Sequence, residues 1–288
     1  MAIALCWGAA GAALVLAGHP LTLAAGMLLL GALYPHMVEL QHQCLHHSAF
    51  RKGPPHRAAG VLLGLPMLVS YSHYRVRHLQ HHRFLGTDQD TEFFGFDTRG
   101  PLTYGALGRG LFDYARIAAV LRDSGRAWRG TWEYDAGRIS RKMRAASSAE
   151  YRLIGAVVAA AAALSLIGYG TEVLTLWLLP MLLISTPLHF LVELPEHIRC
   201  DSDTTDVLRN TRSISGSWFS TWYTNGNNLH VEHHAAMAVP MQRLGERHAE
   251  VLRHAKHTDR TYWAFFRMVL RELTTGRIHR TAARTEAP

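Results

Sequence analysis

All but one of the lysines and arginines in this 288-residue chain fall in two stretches. Residues 42–150 hold sixteen and residues 193–288 hold thirteen; Arg152 is the remaining one of 30. Around and between these stretches run four apolar segments, at about 2–18, 21–40, 153–169 and 174–192. Each approaches the ~20 residues that a helix needs to cross a bilayer. The connections at 18–20 and 170–173 are short and carry no basic residue. Excess Lys and Arg mark the cytoplasmic side, so two helical hairpins are expected to enter and leave through the same face of the cytoplasmic membrane. Both polar segments, 42–150 and 193–288, then form a cytoplasmic helical cap. The fold class that follows is an all-α integral membrane protein with four transmembrane helices, organised as a single domain over 1–288.

Details of the spans follow from composition. Residues 1–18 lack a basic n-region, and the next apolar segment follows after Gly18-His19-Pro20, so a hairpin is expected, not a cleaved signal. Pro180 and Pro187 are expected to kink the fourth span. Residues 58–71 are apolar but too short to cross, and they read as an interfacial or re-entrant helix. The Arg- and Trp-bearing stretch at 101–150 reads as helices on the headgroups. The net charge of +8 is spread through the polar segments without a nucleic-acid motif, so the expected partner is membrane lipid and not nucleic acid. Cys6, Cys44 and Cys200 lie far apart without a C-x-x-C, which argues against a disulfide framework or a zinc knuckle. Cys44 reads as a small packing residue.

The polar segments carry clustered histidines. His78-Leu79-Gln80-His81-His82 and His230-Val231-Glu232-His233-His234 both read H-x-x-H-H. Upstream stands His42-x-x-x-His46-His47, and Glu193-Leu194-Pro195-Glu196-His197 lies between. Neutral imidazole is the commonest protein metal ligand and suits iron, copper, zinc and nickel. On a helix, positions i, i+3 and i+4 share a face. Nine imidazoles exceed what one ion can use, so the pattern points to a histidine-rich dimetal site with open positions. Structural zinc sites close with four ligands and usually recruit cysteine, and so fit poorly.

As a set, these motifs resemble the membrane fatty acid desaturase/hydroxylase superfamily of histidine-box diiron enzymes, over about residues 20–250. His42-Gln-Cys-Leu-His46-His47-Ser-Ala-Phe50 is similar to H-[DE]-C-x-H-x-x-x-F, with Gln43 in place of the acid. Arg77-His78-x-x-His81-His82, followed by Asp88-x-Asp90-Thr91-Glu92, resembles the second box with its acidic trailer. Asn228-x-His230-x-Glu232-His233-His234, followed by Val239-Pro240, resembles N-x-H-x-E-H-H…V-P.

The resemblance implies that His42, His46, His78, His81, His82, His197, His230, His233 and His234 hold two irons. Glu193 stands where some members hold an asparagine that reaches a metal through water; pairing with Arg199 is the alternative. Glu193 and Asn228 are the candidate catalytic side chains. Asp88, Asp90, Glu92, Glu232 and Asn228 are placed to hydrogen-bond ligand imidazoles. His47 and His73 are expected to orient ligands, and His189 to pack inside the bundle or line a substrate path. His248, His254 and His257 are expected to be solvated.

The implied chemistry uses O2 as co-substrate to attack an unactivated C–H bond of a fatty acyl or other lipophilic or carrier-bound substrate. Desaturation is the first reading; hydroxylase, ketolase and acetylenase relatives carry similar boxes. Electrons must come from a separate donor, ferredoxin or a cytochrome b5-like protein. Arginines such as Arg75, Arg77, Arg199 and Arg212 are candidates to steer it. The competing readings are a membrane metal transporter, which would place ligands near mid-bilayer, and a zinc-dependent membrane hydrolase. Residues beyond about 258 match no box, so their removal is expected to be mild.

Overall fold

The computed structural model describes residues 2–90 and 102–276. Among these, helices dominate: α1 (Ala2–Leu16), α2 (Pro20–Leu45), α3 (Pro54–Gly64), α4 (Tyr71–Phe84), α5 (Tyr104–Leu111), α6 (Tyr114–Trp128) and α7 (Arg141–Leu164). A mixed α- and π-helical run with α8 (Gly170–Val173) then leads to α9 (Thr186–Glu193). The C-terminal part carries α10 (Val207–Asn210), β1 (Arg212–Ile214), α11 (Trp218–Tyr223), α12 (His230–Ala235), α13 (His248–His254), β2 (His257–Asp259) and α14 (Tyr262–Thr275). The chain divides into two compact units. One comprises residues 1–45, 52–76 and 111–189; the other comprises 46–51, 77–110 and 190–288.

The first unit is the apolar one. Helix lies over all four apolar segments. Two helical stretches, Pro20–Leu45 and Arg141–Glu193, are long and apolar enough to cross a membrane, and α1 is shorter. Gly18 turns the chain between α1 and α2 with φ +75°, and Gly168 breaks the Arg141–Glu193 run with φ +110°. Bare backbone lets α1 and α2 approach closely: a Cβ on Gly26 would sit 2.6 Å from the Gly11 carbonyl oxygen. Small residues at a helix contact are how apolar helices pack when solvent does not drive them together. Gly31 of α2 likewise meets Ile184, where a Cβ would be 2.5 Å away. There the Ser185 hydroxyl donates to the Gly31 carbonyl at 2.8 Å. The core gathers Leu30, Leu33, Tyr34, Val38, Met67, Trp132, Tyr151, Ile154 and Met181.

Residues 58–71 do not form one helix. α3 passes into a short 3-10 turn and stops at Leu68, whose φ is +56°. Behind that turn, Glu150 of α7 holds the start of α4. Its buried carboxylate accepts from Ser72 N (2.7 Å), Ser72 Oγ (2.6 Å), Ser70 Oγ (2.9 Å) and Arg57 Nε (3.0 Å). A carboxylate at a helix N-terminus satisfies an otherwise unbonded N–H and complements the helix dipole. Tyr114, Leu121 and Trp128 of α6, and Phe112 just before it, are exposed.

The second unit is held by a parallel pair, β1 with β2, in the register Arg212↔His257, Ser213↔Thr258 and Ile214↔Asp259. Ser213 also bridges to Leu229, the residue before α12. The strand pair thereby fixes the start of the helix that carries the third histidine box.

Candidate metal centre

Four short pieces of chain bring eight histidines together in the second unit. His78, His81 and His82 occupy the second half of α4. His230, His233 and His234 fill α12, while His46 and His197 stand in turns. The rings sort into two groups: His46, His78, His82 and His233 in one, and His81, His197, His230 and His234 in the other. Within each group the ligating atoms lie within 4.8 Å of one another.

In the first group, His78 Nε2 lies 2.9 Å from both His46 Nε2 and His82 Nε2, and His82 Nε2 lies 3.0 Å from His233 Nε2. In the second, His197 Nε2 lies 3.2 Å from His81 Nε2 and 3.0 Å from His230 Nε2. His234 Nε2 stands 3.1 Å from His230 Nε2.

The outer nitrogens decide what those inner contacts are. His81 Nδ1 donates to Asp90 Oδ1 (2.8 Å), His197 Nδ1 to the Asn210 carbonyl (3.1 Å) and His230 Nδ1 to Asn227 Oδ1 (3.1 Å). Asn227 is oriented by its own Nδ2, which donates to Glu196 Oε1 at 2.8 Å. A neutral imidazole has one N–H, so in these three rings Nε2 is a lone pair. Burial, reinforced by the surrounding imidazoles, pushes the His230 and His234 pKa values well below the ordinary histidine range. Protons therefore do not separate the converging lone pairs; a cation bound among them would. Two nitrogens ~2.1 Å from one ion stand roughly 3.0–3.4 Å apart at right-angle or tetrahedral spacing, which matches the observed contacts. An all-imidazole donor set suits iron, copper, zinc or nickel and is unlike the oxygen cages of calcium and magnesium. The residues fit a pair of transition-metal ions.

Other side chains named from sequence divide sharply. His42 is buried on α2 of the first unit, its ring 6.2 Å from that of Tyr74 and one helical turn before His46. Glu193 ends α9 and is half-buried. Asn228 stands outside both histidine groups. Its Nδ2 donates to the Ile214 carbonyl (2.7 Å) and Thr221 Oγ1 (3.2 Å), and its Oδ1 accepts from Thr224 Oγ1 (3.1 Å). It fixes the turn before α12. Asp90 takes the expected place behind His81, Asp88 is exposed, and Glu92 lies outside the described residues.

Several expectations are corrected. His73 pairs with the Tyr151 hydroxyl at 2.5 Å inside an aromatic cluster with Trp132 and Tyr134, and so does not orient a ligand through that nitrogen. His248 is not solvated: its Nδ1 meets Glu232 Oε1 at 2.5 Å and its Nε2 meets Ser215 Oγ at 2.8 Å. Glu232 thus supports α12 through His248 and through Ser213 Oγ (2.5 Å), not through a clustered imidazole. This Ser215–His248–Glu232 row has the reach of a nucleophile triad. However, the Ser215 and Gly216 N–H groups are spent on the Asp259 and Arg260 carbonyls, leaving no oxyanion donors there. His257 is also buried, on β2. Arg199 and Arg212 are buried in ion pairs with Glu272 and Asp259 and do not face a docking protein.

Glu196 was not singled out from sequence, yet its Oε2 lies 3.3 Å from His230 Nε2. Its position directly before His197 was the available signal. Asn210 and Asn227, which aim two of the rings, carry no signal, since their roles arise from tertiary contact.

The fatty acid desaturase family model matches residues 18–266 of the chain. No curated protein matches it.

Proposed function

The chain belongs to the fatty acid desaturase family, and from that premise we propose that it is an O2-dependent diiron desaturase acting on a fatty acyl or other lipophilic chain. The family makes it an oxidoreductase of the desaturase/hydroxylase type. The observation that carries the finer reading is the pair of four-imidazole groups, in the second of which His81, His197 and His230 turn their Nε2 lone pairs inward. His46, His78, His82 and His233 would hold one iron and His81, His197, His230 and His234 the other. His42, one helical turn before His46, would add a fifth nitrogen to the first, as the sequence pattern implies.

When bound, the irons supply O2 activation and cleavage of an unactivated C–H bond. The protein's part is placement. Asp90, the Asn210 carbonyl and Asn227 lock ring tautomers and raise ligand basicity. Glu196, held by Asn227, presents Oε2 beside His230 and can take or give a proton there. Glu193, one turn of sequence before His197, is the candidate for a water-mediated contact. Asn228 acts through the placement of α12. All four apolar segments are read as spans in two hairpins, with the histidine groups at the cytoplasmic side of the cytoplasmic membrane. Electrons are assigned to ferredoxin or a cytochrome b5-like protein.

The test is metal content and Mössbauer spectroscopy on detergent-purified protein, followed by turnover with acyl substrates, O2 and a ferredoxin system. Two coupled irons per chain and an alkene product support the reading. An alcohol product would place the chain among the hydroxylases. Zinc alone, not displaced by iron, would overturn the oxygen chemistry.

A further inference from the structure

His197 stands not in a helix but in a run of turns at 194–199, so other side chains must hold it in place. Two buried arginines grip that run. Arg212 donates through Nη1 to the carbonyls of Pro195 (2.9 Å) and Ile198 (2.8 Å). Its Nε pairs with Asp259 of β2 at 3.2 Å, and its guanidinium lies over the Phe265 ring, 5.0 Å from the centroid. Arg199 follows two residues after His197, with φ +61°. A non-glycine side chain holds that backbone only where its environment imposes it. The environment here is Glu272 of α14, which receives Arg199 Nε at 2.7 Å on Oε2 and the second guanidinium N–H on Oε1. Such fork-to-fork pairs fix geometry as well as charge. Glu272 also accepts the Leu102 N–H at 3.0 Å. Both arginines thus take their counter-charge from residues 257–275, which contain none of the clustered histidines.

We propose that this C-terminal segment is a working part of the metal centre. Glu272 acting through Arg199, and Asp259 acting through Arg212, position His197 and so govern retention of the ion at His81, His197, His230 and His234. The inference rests on the dimetal reading above and assigns Glu272 and Asp259 as positioning residues.

The test compares full-length protein with Glu272→Gln and with the double variant Arg199→Met/Glu272→Met. The double variant leaves no buried charge without its partner and so separates positioning from misfolding. Each is loaded with ferrous iron and dialysed against graded chelator, and iron per chain is counted. The wild type is expected to hold two ions. Both variants are expected to release one of them at chelator activity about 10–100-fold lower, while the second stays. Glu272→Asp is expected to recover part of that retention. Joint release of both ions, as general loosening would produce, overturns the proposal, and so does wild-type retention in both variants. A wild-type chain that takes up no metal would instead remove the dimetal reading, an outcome visible before any variant is measured.

Discussion

Replacing Glu150 tests whether the second histidine box is held from its far end. The carboxylate is 4% exposed and receives four donors, two of them from Ser72. In Glu150→Gln the amide oxygen can serve two of the four, and its NH2 group faces the others. Ser72 Oγ can rotate to accept, and Arg57, half exposed, can turn to water. The bonds that remain fall from charge-assisted to neutral strength. At about 1.5–3 kcal/mol against 0.5–1.5 kcal/mol each, the net loss is roughly 2–3 kcal/mol. Glu150→Ala goes further, because the Ser72 N–H at the head of α4 has no freedom to find another acceptor, and it should cost about 3–5 kcal/mol. Equilibrium unfolding in mixed micelles gives both numbers. Amide hydrogen exchange along 71–84 locates the damage, which should be greatest in the first turn of α4. A Gln variant within 0.5 kcal/mol of wild type, or exchange unchanged at Ser72, would refute the claim that this carboxylate anchors the helix.

Further outcomes follow from other contacts. His81→Ala and His233→Ala should each remove one ion and abolish turnover while membrane insertion persists; turnover surviving in either would contradict the ligand sets. Gly31→Ala places a Cβ 2.5 Å from Ile184 and should cost about 1–3 kcal/mol, with partial rescue by Ile184→Ala; a neutral result would mean the contact is not close. His257 has its pKa pushed down to about 4, chiefly by burial and then by Arg212. Below its ordinary value of 6.5 the unfolded chain binds a proton that the folded residue refuses. Its contribution is therefore fully present above about pH 6.5 and declines towards pH 4, by about 3 kcal/mol in all. His257→Gln should flatten that part of the stability curve, and an unchanged slope would assign it to another group. Truncation after residue 258, which sequence suggested would be mild, should instead be severe, because it strands Arg199 in a buried site; near-normal iron content in the truncated protein would argue otherwise.

The helices, the histidines and the family were readable from spacing and composition, because they depend on local periodicity. The grouping of the ligands was not. Each H-x-x-H-H box splits: His78 and His82 join one group while His81 joins the other, and His230 and His234 part from His233. Residues four apart share a helix face, whereas adjacent ones stand about 100° apart, so each box faces two centres. The histidine at 248 and the arginines at 199 and 212 look like surface residues by type. The two arginines are buried, and the histidine is partly buried, because carboxylates distant in sequence, Glu272, Asp259 and Glu232, meet them. No local pattern encodes such pairings.

The inward-facing lone pairs also bear on how the protein is made. On the dimetal reading, a chain whose second unit closes before metal arrives would bring the unprotonated Nε2 atoms of His81 and His230 to 3.2 and 3.0 Å from that of His197, so metal-binding free energy would be spent on closing the unit. Iron supply during synthesis would then set the yield of finished protein. In iron-poor cells the apolar helices would insert while the histidine-bearing unit stayed open, and proteases would clear those molecules first. Abundance, and not only specific activity, would become a readout of cellular iron.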